Sequence, residues 1–259
     1  MMRAIPASKC LMAALGFLAA CAAATVLRCF RDYFDRPVVQ VINHLAVSGG
    51  VFNRIAAGVT YPTFQGVVVL SLVWCCWFSS SRPELRARLV RGAAAAILAA
   101  WIAHLLHDSL SFSPKPMFDP SLEFHPLGVL GDMDTLRATS NPLSPSFPSE
   151  RATLFAGLAI AVCMASHKIG LLALGFTIAV ESCRIYLGMH YPTDMIASIC
   201  LAAAFVWLAE AGAFFGLGSQ LVKWEHASAP SFYLCGLFAS YQLATAFQGL
   251  RDLAGQLHF

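Results

Sequence analysis

The residues best suited to chemistry in this sequence are an arginine, a histidine and an aspartate in one short stretch. Five residues separate Arg184 from His190, and three more separate His190 from Asp194. A guanidinium group matches two phosphate oxygens at once. An imidazole can attack phosphorus with one ring nitrogen while a carboxylate orients it through the other. The spacing therefore indicates phosphoryl transfer, with Arg184 binding phosphate, His190 as the nucleophile and Asp194 orienting it.

Two other stretches carry groups that suit an anion. Ser149 opens a predicted helix, where its hydroxyl and the unpaired first-turn amides can bind a phosphate. A well-capped helix with no further role explains the same residue equally well. Lys115 stands between two prolines and offers a fixed cation, although a solvated loop lysine fits that pattern too.

Two histidines and an aspartate raise the question of a metal. His104, His107 and Asp108 lie near the end of a predicted helix. Histidines three residues apart suit a metal, but no third ligand follows at helical spacing beyond Asp108. Hydrogen-bonding histidines at a membrane surface are the favoured interpretation. The nine cysteines fall mainly in apolar runs without a C-x-x-C pair, so neither a zinc site nor a disulfide framework is predicted.

The elements that carry these groups are predicted to lie in a membrane. Hydrophobic residues make up 58% of the chain, charged residues only 12%, and the mean hydropathy is +0.66, whereas a soluble domain carries about 25% charged residues. The predicted fold is all-α, a polytopic transmembrane helical bundle of about six to seven spans. Apolar runs occupy roughly residues 10–27, 57–79, 90–111, 152–166, 169–189, 194–216 and 231–249. A formal charge of +3 argues against nucleic acid as a partner and leaves membrane lipid as the expected one.

The rest of the chain is predicted to surround one catalytic core. Residues 1–56 are expected to hold the first span and an interfacial helix within residues 28–54, residues 57–217 the core, and residues 218–259 a last span and tail. The proline-rich loop over residues 112–151 is long enough to be functional. Leu18-Ala19-Ala20-Cys21 also resembles a lipoprotein cleavage site, but an uncleaved first helix is the favoured interpretation.

The distribution of charge predicts how the bundle is oriented. Basic residues crowd three connections between spans, at Arg82, Arg86, Arg88, Arg91, His167, Lys168 and Lys223. The positive-inside rule places these connections in the cytoplasm, so the loop over residues 112–151 and the turn over residues 185–193 both face outward. Arginines on the outer side oppose this orientation, at Arg28, Arg31, Arg36 and Arg54. Nearby acidic residues, Asp32 and Asp35, partly offset them.

Together these motifs resemble the type 2 phosphatidic acid phosphatase (PAP2) superfamily of integral-membrane lipid phosphatases, whose motifs are K-x6-R-P, P-S-G-H and S-R-x5-H-x3-D. Arg184 with the run Leu187-Gly188-Met189-His190-Tyr191-Pro192-Thr193-Asp194 matches the third motif. Ser146-Phe147-Pro148-Ser149 resembles the opening of the second. The resemblance covers roughly residues 57–215. It implies a phosphohistidine at His190, phosphate binding by Arg184, Ser149 and Lys115, and no metal or other cofactor.

This chain departs from the family pattern in each motif. Lys115-Pro116 stands where the family has Arg-Pro, and Asp108 where its lysine is expected. Cys183 replaces the serine before the arginine of the third motif. Glu150-Arg151 replaces the usual Gly-His or Asp-His of the second motif. The family's general acid is therefore missing.

The missing acid favours a substrate whose leaving group needs no proton. Phosphatidate would expel an alkoxide, whose conjugate acid has a water-like pKa of roughly 16, so losing the acid should slow that reaction on the order of 10²- to 10⁴-fold. A polyprenyl diphosphate expels a phosphate monoester with a pKa near about 6, which leaves unprotonated. Arg151 would hold the charge that accumulates on that group.

The predicted function is a membrane lipid phosphatase that removes the terminal phosphate of a polyprenyl diphosphate such as undecaprenyl diphosphate. The resemblance implies a multi-pass protein of a bacterial inner membrane with its active site facing the periplasm. Two alternatives stay open: a phosphotransferase acting on a lipid or sugar acceptor, and a catalytically silent protein that binds a phosphorylated lipid. A transporter is disfavoured, because the polar residues gather at one surface rather than at the midplane.

Overall fold

The computed structural model describes residues 6–46, 49–110, 112–124, 145–212 and 214–245, and over these ranges the chain is helical without a strand. The α-helices in order are α1 (Ala7–Arg28), α2 (Asp35–His44), α3 (Val51–Val59), α4 (Pro62–Ser79), α5 (Pro83–Ser109), α6 (Glu150–Ala165), α7 (His167–Tyr186), α8 (Pro192–Glu210), α9 (Phe215–Ala227) and α10 (Ala229–Ala244). Two short 3₁₀ turns, Pro116–Phe118 and Pro120–Leu122, lie in the segment that follows α5. The predicted all-α class is confirmed.

Local sequence explains where several helices begin. Proline stands in the first turn of α4, α5, α8 and α10, where its fixed φ suits a helix and its missing N–H would have no helical partner. Ser149 precedes α6, and its hydroxyl oxygen accepts the Ala152 N–H at 3.4 Å. At the start of α8 the Asp194 carboxylate accepts the Tyr191 N–H at 2.8 Å. Two predicted motif residues are therefore also helix caps.

The core of the bundle is built around α6. This helix packs against α5, α7 and α8, and α1 packs along α8 on the other side. Small residues allow a close approach: a Cβ added to Gly157 of α6 would lie 2.6 Å from the Cβ of Ala96 on α5. Most residues of α6 are buried. Helix α6, which Ser149 caps, is therefore fixed by packing against α5, α7 and α8.

Four helices of the described ranges are long and apolar enough to cross a membrane: Ala7–Val26, Pro83–Leu106, His167–Tyr186 and Pro192–Glu210. The pair α3 and α4, bent by 57°, would together make a fifth span. In the described part of the chain each of the seven predicted apolar runs overlaps at least one helix, but the described lengths of α6 and α10 are 16 residues each, fewer than the roughly 20 that a span needs. The chain is a multi-pass membrane protein, and its described ranges hold four or five candidate spans, compared with the six to seven predicted for the whole chain.

The single interfacial helix predicted within residues 28–54 is instead two helices, α2 and α3. Glycine explains the break, because Gly49 has a φ of +72° and Gly50 immediately precedes α3. Helix α2 packs against α7 and α8, and α3 packs against α7 and α4. Both helices thus pack on the core.

Ion pairs mark the end of the bundle where α5 begins. Arg88 and Arg91 of α5 lie 2.8 Å and 3.6 Å from the carboxylate of Glu210, the last residue of α8. Arg86 forms a 2.8 Å ion pair with Glu225 of α9. The motif residues lie at the opposite end of α5 and α8, so this ion-pair end is separate from the candidate site.

Candidate active site

Four segments meet at the motif end of the bundle: residues 112–124, the start of α6, the end of α7 and the start of α8. The Met117 N–H donates to the Gly188 carbonyl at 2.9 Å. The Ser146 N–H donates to the Ser113 carbonyl at 2.8 Å. These backbone bonds join the stretches that carry the three motifs, so residues 71 positions apart in the sequence come together.

His190 is buried in the turn between α7 and α8, with different partners for its two ring nitrogens. Nδ1 lies 2.8 Å from the Ser146 carbonyl oxygen. Nε2 lies 2.9 Å from Nη2 of Arg184 and 3.4 Å from Oγ of Ser149. A carbonyl oxygen can only accept a hydrogen bond, so Nδ1 carries the proton and the lone pair is on Nε2.

The surroundings of His190 favour its neutral form. Burial lowers the pKa of His190 below its ordinary value of 6.5, the contact with Asp194 acts in the opposite direction, and the positive charge of Arg184 adds to the lowering. A neutral imidazole keeps the lone pair on Nε2. The group is therefore suited to nucleophilic attack near neutral pH.

Asp194 is fully buried beside His190. Its Oδ2 accepts hydrogen bonds from the Tyr191 N–H at 2.8 Å and from the Ser146 hydroxyl. The same oxygen lies 3.7 Å from Nδ1 of His190, farther than the Ser146 carbonyl. The geometry therefore divides the predicted orienting role: the backbone at Ser146 holds the ring, and Asp194 holds Ser146 and supplies a negative charge beside the ring.

Arg184 joins the nucleophile to a buried carboxylate. Its Nε lies 3.4 Å from Oε2 of Glu181, an ion pair without hydrogen-bond geometry. The other carboxylate oxygen of Glu181 accepts a hydrogen bond from Nε2 of Gln65 at 2.9 Å. Among the described residues, Nε and Nη1 of Arg184 have no hydrogen-bond acceptor. The guanidinium is thus held from one side and keeps donors for an anion.

Two further cations stand near Arg184. Burial, with the charges of Arg184 and Arg151, lowers the pKa of Lys115 to about 8. Charges act on one another in this way only at short range. The two residues from the altered first and second motifs, Lys115 and Arg151, therefore lie in the same electrostatic environment as Arg184.

Ser149 is positioned by α8 as well as by its own helix. Its N–H donates to Oγ of Ser198 at 2.9 Å, and the Ser198 hydroxyl donates to the Asp194 carbonyl at 2.7 Å. The Ser149 side chain faces Nε2 of His190. The positive end of the α6 dipole therefore points toward His190, which would suit an anion bound between them.

The predicted histidine pair has another partner. Nδ1 of His104 lies 2.8 Å from Oε1 of Glu150, the residue after Ser149. The side chains of His107 and Asp108 lie outside the described residues. No three His, Cys, Asp or Glu side chains in the described part of the chain are grouped as metal ligands.

Several residues of the site were not predicted from the sequence. Glu181 stands one helical turn before Arg184, a spacing at which a carboxylate and an arginine can pair, so the signal was present. Ser146 contributes mainly its backbone carbonyl, which no residue-type pattern reveals. Ser198 lies one turn after Asp194 and is recognisable only when α6 and α8 are placed side by side.

The site residues predicted from the sequence lie close together in the structure. His190, Asp194, Arg184 and Ser149 are in direct contact, with Lys115 and Arg151 close by. A neutral nitrogen nucleophile beside three cations and a helix N-terminus can attack an anionic electrophile such as phosphorus.

Comparisons with known proteins identify the family of the region that carries these residues. The model of the PAP2 superfamily matches residues 88–214, which include all three motifs. Undecaprenyl-diphosphatase BcrC of Bacillus subtilis (strain 168) is 24% identical over 166 residues, which are 64% of this chain and 77% of that protein. No solved structure matches the chain significantly. Residues 88–214 are a PAP2 superfamily domain.

Proposed function

We propose that this protein is a membrane lipid phosphatase that removes the terminal phosphate from a polyprenyl diphosphate through a phosphohistidine. One observation carries the proposal: the Ser146 carbonyl fixes Nδ1 of His190 at 2.8 Å, which leaves Nε2 beside Arg184 and Ser149. A nucleophile with a defined lone pair among phosphate-binding groups is what phosphoryl transfer needs.

The first step forms a nitrogen–phosphorus bond. Nε2 of His190 attacks the terminal phosphorus, the bond from phosphorus to the bridging oxygen breaks, and a lipid monophosphate leaves. Nδ1 keeps its proton, so the phosphorylated ring is positively charged. The Ser146 carbonyl and the Asp194 carboxylate face that charge. Arg184, Lys115 and the Ser149 hydroxyl bind the oxygens of the transferred phosphoryl group.

The second step regenerates the enzyme. A water oxygen attacks the phosphorus, the nitrogen–phosphorus bond breaks, and its electron pair returns to Nε2. One hydrogen of the water stays on the oxygen that becomes part of inorganic phosphate, the other passes as a proton to bulk solvent, and inorganic phosphate leaves. Neither step requires protonation of a lipid alkoxide, in agreement with the replacement of the family's histidine by Arg151.

Two observations support a diphosphate as the substrate. Arg151 carries a permanent charge and cannot act as an acid near neutral pH, but it can stabilise a phosphate leaving group. The relative described above is named an undecaprenyl-diphosphatase. We therefore assign the proposed activity to undecaprenyl diphosphate or a similar polyprenyl diphosphate, at the outer leaflet of a bacterial inner membrane.

Phosphate release from undecaprenyl diphosphate by the purified full chain in detergent tests the proposal. Release should resist chelators and disappear in His190→Ala, whereas His226→Ala, which removes an exposed histidine of α9, should match the parent. Arg151→His should raise phosphatidate hydrolysis on the order of 10²-fold, because it restores an acid for the alkoxide.

Other results would overturn parts of the proposal. A parent that cleaves phosphatidate as fast as undecaprenyl diphosphate would refute the leaving-group argument. Transfer of the phosphoryl group to a lipid or sugar acceptor in preference to water would identify a phosphotransferase. Absence of release by the parent, with release in Arg151→His, would identify a protein that binds lipid phosphates without cleaving them.

A further inference from the structure

The connection between α1 and α2 contacts three of the four segments that meet at the site, although it lies outside residues 88–214. We refer to residues 28–36 as the N-terminal brace. The guanidinium of Arg31 lies 4.0 Å from the centre of the Tyr191 ring, and its Nη2 donates to the Ser113 hydroxyl at 2.6 Å. The guanidinium of Arg28 lies 4.7 Å from the centre of the Phe147 ring. Each contacted residue lies within two positions of a proposed site residue or of Ser146.

Asp35 makes the most specific contact of the brace. It is fully buried, and its carboxylate accepts both the N–H of Thr193 at 3.0 Å and the Thr193 hydroxyl at 2.5 Å. Thr193 is in the first turn of α8, where N–H groups have no helical acceptor. A carboxylate at this position also complements the helix dipole. Asp35 thus fixes the turn that lies between His190 and Asp194.

A second brace contact reaches the same turn from the other side. Arg36 lies 3.3 Å from the carboxylate of Asp119, which accepts the Tyr191 hydroxyl at 2.9 Å. Tyr191 is fully buried. The residues on either side of Pro192 are therefore each held by a polar contact that begins in the brace.

A purely local cap would not require a buried carboxylate from a distant part of the chain. Burying a carboxylate destabilises a fold unless hydrogen bonds compensate, and the nearest arginine nitrogen of the brace, Nε of Arg31, is 4.0 Å from Asp35. Burial raises the pKa of Asp35, while the hydrogen bonds from Thr193 lower it. The hydrogen bonds that compensate for burying the Asp35 carboxylate are therefore made to the turn that places His190.

We infer that Asp35 is a positioning residue for His190 and Asp194, acting through Thr193 at the start of α8. The inference rests on the proposed phosphatase function for its kinetic consequence, but the position of the His190 ring can be measured separately. A displacement of about 1 Å in a catalytic group can lower a rate on the order of 10²-fold. Asp35 contacts none of Arg184, Lys115 and Arg151 in the described hydrogen bonds and ion pairs, so substrate binding should change little.

Steady-state kinetics on undecaprenyl diphosphate provide the first test. In Asp35→Ala we expect kcat to fall by roughly 10- to 100-fold with KM within about threefold of the parent. Asp35→Asn should restore kcat to within about fivefold, because its amide oxygen still accepts the Thr193 N–H and its amide nitrogen can donate to the hydroxyl.

Glu225→Ala is the matched control. Glu225 is also a buried carboxylate with two partners, Arg86 and the Tyr233 hydroxyl, but it lies at the ion-pair end. Its loss should lower thermal stability and leave kcat per folded molecule within about twofold of the parent. If Asp35→Ala behaves as Glu225→Ala does, Asp35 is merely structural and the inference is wrong.

The ring of His190 provides a readout that does not depend on activity. In ¹⁵N-histidine-labelled full chain, the His190 signals, assigned by their absence in His190→Ala, should report a single Nδ1–H tautomer. Asp35→Ala should mix the tautomers, and Asp35→Asn should not. If the parent shows no phosphatase activity but Asp35→Ala still mixes the tautomers of His190, the proposed function is refuted and the positioning role is supported. Unchanged signals in Asp35→Ala would refute the positioning role whatever the activity.

Discussion

The two ring nitrogens of His190 have different partners, and this difference decides which of them can react. Nδ1 faces a carbonyl and a carboxylate, which both favour a proton there. Nε2 faces a guanidinium and a hydroxyl. Protonation of Nε2 would remove the nucleophile and place a second positive charge beside Arg184. The pH dependence of the reaction should therefore report this nitrogen.

The first prediction concerns the acid side of the pH profile. The folded chain holds the pKa of His190 below 6.5, so Nε2 stays unprotonated as the pH falls through that value. We expect kcat/KM for undecaprenyl diphosphate to stay level at pH 6.5 and to fall only at lower pH. A decline centred at or above pH 6.5, measured in the parent across a buffer series of constant ionic strength, would contradict the lowered pKa.

A second prediction concerns the alkaline side. The ammonium of Lys115 has a pKa of about 8 in the folded chain, so its positive charge is present below that pH and is lost as the pH rises through it. We expect kcat/KM to decline above pH 8 in parallel. Lys115→Arg should remove this decline, because a guanidinium keeps its positive charge throughout this pH range.

Lys223→Arg is the control for that change. Lys223 is exposed on α9, toward the ion-pair end, and its substitution should leave the alkaline limb where it is in the parent. An identical alkaline limb in the parent and in Lys115→Arg would show that Lys115 does not contribute its charge to the reaction.

Residue types and spacing predict part of the site and no more. Arg184, His190 and Asp194 lie in one short stretch of sequence that spans the turn between α7 and α8, so their spacing in the sequence alone predicts that they come together. The acceptor for Nδ1 is a backbone carbonyl at Ser146, and any residue type could supply it. Asp35 lies 158 positions from Thr193, and only the packing of the brace on α8 reveals the contact.

At the scale of elements, the turn between α7 and α8 has one conformational requirement. Gly188 has a φ of +71°, in the left-handed region that residues with a Cβ rarely adopt. Its carbonyl accepts the Met117 N–H. A Cβ at this position would lie 2.7 Å from the Phe124 ring and 3.2 Å from the Met117 nitrogen. Glycine therefore allows the turn both to form and to contact the segment that carries Lys115.

The third prediction is that Gly188→Ala damages both stability and activity. The left-handed conformation costs about 1–2 kcal/mol for a residue with a Cβ, and the contact with Phe124 adds to it. Thermal unfolding in detergent should show a lower midpoint, and phosphate release should fall. Gly175→Ala is the control, because Gly175 lies inside α7 with no atom within 4 Å of an added Cβ. Equal midpoints for the two variants would refute this reason for the glycine.

Helical periodicity in the sequence predicts where helices lie better than it predicts where a helix is interrupted. Apolar runs correctly predict helices for all seven segments, because burial and membrane contact select the same side chains. The interfacial region is interpreted as one helix since its apolar residues keep helical spacing on both sides of Gly49 and Gly50. In its charged start, the brace, Arg31 and Asp35 contact Thr193, Tyr191 and Ser113, while Asp32 and Tyr33 stay exposed.

At the scale of the whole molecule, charged side chains are paired differently at the two ends of the bundle. At the ion-pair end, Arg86, Arg88 and Arg91 are matched by Glu210 and Glu225. At the motif end, Arg184 lies near two further cations, Lys115 and Arg151, and its own Nε and Nη1 have no hydrogen-bond acceptor among the described residues. Contacts with the site also account for three of the four arginines that oppose the positive-inside rule, Arg28, Arg31 and Arg36, so these three say little about which side of the membrane they occupy. Arg54 has no such contact among those described and still opposes the predicted orientation.

The last prediction is that the motif end faces away from the cytoplasm. Two exposed positions mark the ends, Glu123 beside the site and Arg82 before α5. In a variant whose nine cysteines are replaced, a single cysteine is introduced as Glu123→Cys or Arg82→Cys. A membrane-impermeant maleimide added to intact bacterial spheroplasts should label position 123 and not position 82.

Permeabilised spheroplasts supply the control for that experiment, because both cysteines should then react, which excludes burial as the reason for a missing label. Phosphate release by each variant confirms that the fold is kept. Labelling of position 82 alone in intact spheroplasts would reverse the orientation. The site would then meet lipid diphosphates in the cytoplasmic leaflet, and the proposed action at the outer leaflet would be wrong even if the phosphohistidine chemistry were right.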